Sequence, residues 1–371
     1  MAALEQGAGQ RRPYTQWQTG KGRRIRAVQE GRMAKFYYGG QAVMEGVMMR
    51  GRTSVSMAVR RPDQSIYLYE EALNPRLYQN RLFRLPFLRG ILLLWEMLVL
   101  GTRMMTLSAN VASGALSPEA VSAPAAADPL QPLDQQGSPG QGEEEAPMQI
   151  GGLALVITVL ISLSFAVAIF FLGPLLITGV LHAQIGEGWL SLTLEGLIRL
   201  GLLVGYLYLI GRVPDIQRVF GYHGAEHKAI NAMEQGAALD IPHVRMASRV
   251  HTRCGTGFLL LVMVVSIFVF ALVGSPALPL KILSRIVLVP VVAGIAYELM
   301  RLGAANYRFR VVRWLLAPGL ALQGLTTREP DDSMLECAIT ALQRVLQRDE
   351  ADAGGAQEMH AELPPLVASS R

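Results

Sequence analysis

Apolar residues lie in long blocks along this chain, separated by stretches where polar residues dominate. Four blocks, residues 150–181, 194–211, 257–274 and 286–302, are long enough to cross a hydrocarbon core, which needs about 20 helical residues. The second holds an internal Arg199. The fourth contains Pro290 and Gly294, which membrane helices tolerate. A fifth block, 85–107, carries Arg89, Glu96 and Arg103 at seven-residue intervals, so its charges share one helical face.

Shorter patterns organise the rest. Within residues 36–84, "TSVSMAVR" and "SIYLYEE" alternate on either side of the turn-forming "RPDQ", predicting a β-hairpin in a small β unit. Residues 1–35 lack periodicity and are basic, and predict a disordered tail that contacts anionic lipid rather than nucleic acid. Residues 108–149 are rich in Ala, Pro, Gly and acidic residues and read as a flexible linker. In the segment 304–348, Leu335, Ala338, Ile339, Leu342 and Leu346 form the stripe of an amphipathic helix, with Ser333 and Glu336 spaced as a capping box. Residues 349–371 read as a frayed tail.

Composition agrees with the blocks. Of 371 residues 51% are hydrophobic and only 17% charged, below the usual quarter for soluble proteins. Two cysteines exclude a disulfide scaffold. The net charge of +5 matters less than its placement: residues 1–84 and 212–256 are rich in Lys and Arg, and the loop 182–193 has neither. Basic flanks stay cytoplasmic. Four spans then place the N-terminus, the 212–256 loop and the C-terminus in the cytoplasm. A fifth span at 85–107 would move that basic loop outside, so this block is predicted to lie in the membrane plane. No signal-peptide pattern precedes the first block. The expected fold is mainly α: a polytopic membrane protein with about four transmembrane helices, a small N-terminal β-hairpin unit and a cytoplasmic helical loop carrying a His-rich site.

The chemistry concentrates in that loop. Four of six histidines fall between Tyr222 and Cys254. In "GYHGAEHKAINAMEQG", His223 and His227 stand one helical turn apart, with Glu226 beside them. Two such imidazoles can bind one divalent ion, and the carboxylate can act as general base, as in inverted zincins. The alternative is an exposed polar helix whose histidines cap carbonyls or pair with Glu. Gly224 leaves open whether the helix includes His223 or starts after it. "SRVHTRCGTGF" offers His251 and Cys254 as further ligands, with Cys254 at a helix start. The same two residues could instead form a Cys–His dyad. Cys337 fits plain packing. Glu298, in "AGIAYELMR", is either a metal ligand or a partner of Arg301. Near the N-terminus, "GGQAVMEGVMMRG" presents Gln41, Glu45 and Arg50 as groups that could contact substrate or close the site, among methionines that read as core filler.

These motifs, together with "LTTREPDDSMLECAI", resemble the YqhQ-like family of bacterial membrane proteins over roughly Tyr37 to Leu346. The family is a domain of unknown function described as a predicted metal-dependent enzyme. The resemblance implies a bacterial inner-membrane location and a metal site at His223, Glu226, His227, His251 and Cys254, and it names no substrate. The functional expectation is a metal-dependent, hydrolase-like enzyme at the cytoplasmic membrane face, with zinc as the cofactor, Glu226 and Glu45 as catalytic groups and the bilayer, and a second copy of the chain, as partners. The competing expectation is a non-catalytic scaffold or regulator with a structural metal.

Overall fold

The computed structural model describes residues 38–73, 85–114, 152–186, 188–274 and 277–361. The basic tail 1–35, most of the acidic linker and the end of the C-terminal tail fall outside the described residues.

The predicted hairpin is the second half of a larger sheet. Strands β1 (Gly39–Val43), β2 (Gly46–Arg50), β3 (Ser54–Arg60) and β4 (Ile66–Ala72) pair antiparallel in chain order. The β3–β4 register runs from Ser54 opposite Ala72 to Arg60 opposite Ile66. The "GGQAVMEGVMMR" segment supplies β1 and β2, with Met44 and Glu45 alone in the turn between Val43 and Gly46.

The remaining elements are helical: α1 (Leu88–Ala112), α2 (Gly152–Val167) and α3 (Gly173–Ile185) joined by a π-helical stretch (Ala168–Leu172), α4 (Trp189–Ile210), α5 (Pro214–Glu234), α6 (Ile241–Met246), α7 (Gly255–Val273), α8 (Leu278–Val287), α9 (Val289–Ala305), α10 (Arg310–Thr326) and α11 (Asp332–Ala361). Among the described residues, four helical stretches are long and apolar enough to cross a membrane: Leu88–Ala112, Ile157–Leu181, Leu190–Ile210 and Gly255–Val273. The block expected as a fourth span at 286–302 is divided between α8 and α9, which are bent by 44° and count as one further span only if taken together. Phe165, Val180, Phe268 and Leu272 project outward from these helices without protein cover, as lipid-facing side chains do.

The sheet lies between two helical layers. Ala42, Val47, Met49 and Ala58 pack on α5 and α11, joined by Tyr222, Ala225, Leu335 and Leu342. Val43, Met48, Val55, Met57 and Val59 form the other face, against Leu100, Met104 and Val111 of α1. Burial on both faces explains the apolar density of β2 and β3. It also explains why α1 continues five residues into the segment expected as linker: Val111 is buried and Ser108 accepts the Met44 N–H at 3.0 Å. The methionines at 48, 49 and 57 are fully buried, as the core-filler reading expects.

The amphipathic C-terminal helix is present with its predicted stripe, but its start differs. Asp331 caps it, accepting the Met334 N–H at 2.9 Å, while Ser333 donates to Asp331 and Glu336 pairs with Arg60. The capping residue thus stands two positions before Ser333, because Glu336 is drawn to the sheet.

Candidate metal centre

Helix α5 has mean hydropathy near neutral, yet Phe220 to Ile230 are buried apart from His223, which is half-buried. Such a helix fits only where neighbours come close. At Gly224 an added Cβ would stand 2.1 Å from the Arg328 carbonyl, and at Gly221 it would meet Met334. Gly224 therefore admits the 327–330 segment against the helix and does not break it. The helix starts at Pro214, so His223 lies in its body.

The two imidazoles are fixed from behind. His223 Nδ1 donates to the Thr326 carbonyl at 2.9 Å, and His227 Nδ1 donates to the Arg249 carbonyl at 2.5 Å. A carbonyl only accepts, so Nδ1 carries a proton in each ring, and in the neutral ring Nε2 offers the lone pair. Cys254 caps α7, accepting the Thr256 N–H at 3.4 Å, and its Sγ sits 3.3 Å from His223 Nε2. The ligand atoms of His223, His227 and Cys254 all lie within 4.8 Å of one another. Ligands of a tetrahedral zinc-type site lie roughly 3.3–3.8 Å apart, given bond lengths of about 2.0–2.3 Å. This trio could hold a metal ion. Glu226 Oε2 stands 3.9 Å from Nε2 of both histidines, and β1 reaches it through Gly40, where a Cβ would come within 2.9 Å of Glu226 Cγ.

The other candidates go elsewhere. His251 is buried beside His227, with ring centroids 5.6 Å apart, but its Nε2 faces Arg253 at 3.2 Å and Glu234 at 3.9 Å. Its backbone is held at both N–H and C=O by the Gln323 side chain. Cys254 meets His223, and not His251, the partner that the alternative Cys–His dyad would need. Glu298 pairs with neither the trio nor Arg301: Arg89 Nε donates to it at 2.7 Å and Arg89 Nη2 makes a second bond. Glu45 receives Arg218 through two bonds, at 2.6 and 2.5 Å, and Tyr222 at 3.3 Å, which ties the β1–β2 turn to α5. Gln41 and Arg50 fall on the α1 face of the sheet, where Gln41 packs on Gly101 and Arg50 pairs with Glu96. Strand alternation causes this: Gly40 and Ala42 face α5, so Gln41 cannot.

Sequence reasoning missed the groups that orient the ligands. Thr326 and Arg249 act through backbone carbonyls, which carry no residue signature, and Gln323 sits in a helix with no visible chemistry. Around Glu234, burial works to raise the carboxyl, but hydrogen bonding from His251 and the charge of Arg253 outweigh it and hold it below the usual carboxylate range. The Cys337 thiol is pushed up to about 11 by burial, which agrees with a packing role.

The chain therefore combines apolar membrane-length helices, a small sheet and a buried His–His–Cys cluster. A family model described as a protein of unknown function (DUF1385) matches residues 85–348. The chain is 34% identical over 312 residues to the uncharacterized protein YqhQ of Bacillus subtilis (strain 168), covering 84% of this chain and 92% of that protein. The chain belongs to this family of uncharacterised proteins. No solved structure matches it.

Proposed function

We propose that the protein is a membrane-embedded, metal-dependent enzyme of hydrolase type, in which His223, His227 and Cys254 hold a divalent ion and Glu226 is the base. The observation that supports this is the convergence of the three ligand atoms while each imidazole is locked through Nδ1. Histidine ligands in metal sites need that second bond to fix tautomer and direction. The mixed nitrogen and sulfur donors suit zinc among the common ions. Bound there, such an ion would supply Lewis-acid polarisation and acidify water. Glu226, facing both Nε2 atoms from 3.9 Å, would be the group that holds the proton released from a water molecule at the cluster. Its burial against Gly40 keeps bulk solvent from that carboxylate.

The same distances favour a second reading. Glu226 is close enough to become the fourth ligand, which would close the site and make it structural, as in a scaffold or regulator. Metal analysis of the purified full-length protein separates the two. One equivalent of zinc is expected, lost on His227→Ala and kept on Glu226→Gln. Metal that also leaves with Glu226→Gln favours the closed site, and protein without metal after purification in zinc-supplemented medium removes both.

The basic 212–256 segment supports placing the site at the cytoplasmic face of a bacterial inner membrane. In that arrangement α1, with its second half covered by the sheet, lies along the membrane.

A further inference from the structure

A cleft of about 290 Å³ opens between the C-terminal ends of α4 and α10. Its polar wall carries Arg212, Arg249 and Arg328. Leu207 of α4 and Leu325 of α10 add apolar lining. Among the described residues of the wall, one carboxylate, Glu329, faces these guanidiniums. It is shared between Arg249 at 3.5 Å and Lys228 at 2.6 Å. Four cationic groups against one anion leave a local excess of positive charge.

The arginines are positioned and keep donors to spare. Arg328 Nη2 donates to the Gly211 carbonyl at 2.9 Å, and Arg249 Nη1 reaches the Thr327 carbonyl at 3.4 Å. Arg212 stacks on the Tyr208 ring, 4.4 Å from its centroid. Each guanidinium has five N–H donors in a planar fork suited to phosphate oxygens, and these contacts occupy few of them. The wall is also continuous with the cluster. The Arg249 carbonyl orients His227 and its side chain lines the cleft, while Thr327 of the wall follows Thr326, whose carbonyl orients His223.

We propose that this cleft binds the phosphate-bearing head group of an amphiphile, with Arg212, Arg249 and Arg328 on the oxyanion and Leu207 and Leu325 along the start of the chain. As a statement of substrate class this rests on the enzyme reading above; as a statement of binding it does not. The head group would then lie against Arg249, whose carbonyl aims His227, and Thr327, next to Thr326, whose carbonyl aims His223.

The test uses the full-length protein in a neutral detergent with three probes: dihexanoyl phosphatidic acid, dihexanoyl phosphatidylcholine and inorganic phosphate. Thermal stabilisation is expected with phosphatidic acid at lower concentration than with the other two. Arg249→Gln and Arg212→Gln should each weaken it about tenfold, the loss of one strong charge-assisted contact. Among the described residues the Arg212 side chain bonds Tyr208 at the surface, so that variant keeps the test valid if Arg249→Gln fails to fold. Equal stabilisation by inorganic phosphate would make the ligand a soluble oxyanion and overturn the amphiphile. No stabilisation by any probe, or one unchanged in both variants, would overturn the site. Zinc content measured on the same samples keeps the two readings apart: His227→Ala should lose metal and still respond to phosphatidic acid, whereas Arg212→Gln should keep metal and show the weakened response.

Discussion

At the scale of single residues, α5 depends on side chains that are absent as much as on those present. Gly224 is the sharpest case, because the Arg328 carbonyl occupies the place of its Cβ. Gly224→Ala should push the 327–330 segment outward and carry the Thr326 carbonyl away from His223. The expected result is a loss of about 1–3 kcal/mol from overpacking, read as a lower melting temperature, together with weakened metal retention. A variant that melts lower and holds metal normally would show that the histidine is aimed by something else. Glu234 carries a different consequence. Its carboxyl is held below the usual range, so the ionised form stabilises the fold above the unfolded carboxyl pKa of about 4.3, and that contribution is lost as pH falls through the lower folded value. Melting temperature should therefore fall more steeply on the acid side in the natural protein than in Glu234→Gln. Parallel pH profiles would contradict this.

At the scale of elements, the membrane helices are joined by a buried charge cluster that hydropathy does not reveal. Glu195 of α4 accepts from Arg199 at 2.6 Å and from Arg285 of α8 at 3.0 Å, while Arg199 also bonds Ser266 of α7 and the Phe170 carbonyl. Phe171 and Phe270 lie beside Arg199, and Phe270 lies beside Arg285 as well. This places a link between α8 and α4 where α8 and α9 bend. Removing one carboxylate would leave two buried guanidiniums uncompensated. Glu195→Gln should cost about 3–5 kcal/mol, seen as early thermal unfolding in detergent, because breaking a buried pair is far worse than never making it. An unchanged unfolding midpoint would mean that these charges are hydrated. Of the cluster, only Arg199 was singled out in the sequence, as a basic residue inside an apolar block. Glu195 stands one turn away on the same helix, but Ser266 and Arg285 come from other elements, a relation that no local pattern encodes.

At the scale of the molecule, the His-rich segment follows one apolar helix and precedes another, so its side of the membrane fixes where the chemistry takes place. Met246 is among the most exposed apolar side chains and lies on α6, within that segment. Both native cysteines are buried. A Met246→Cys variant should therefore resist an impermeant maleimide in intact bacterial spheroplasts and react once the membrane is permeabilised. Labelling in intact spheroplasts would place the segment outside and reverse the proposed topology.

Periodicity and composition were enough to reveal the apolar helices, the β3–β4 hairpin, the C-terminal stripe and the His223–Glu226–His227 spacing, since each depends on neighbours within a turn or a strand. The sequence also named Cys254 as a partner for that pair. What only the tertiary structure decided was selection among equivalent candidates. Strand parity sent Gln41 and Arg50 to α1, Arg89 took Glu298, and Arg253 and Glu234 drew the His251 ring, leaving Cys254 against His223. The reason is physical: a side chain's reach is local, but its partner is set by which backbone the fold brings alongside, here the carbonyls of Thr326 and Arg249.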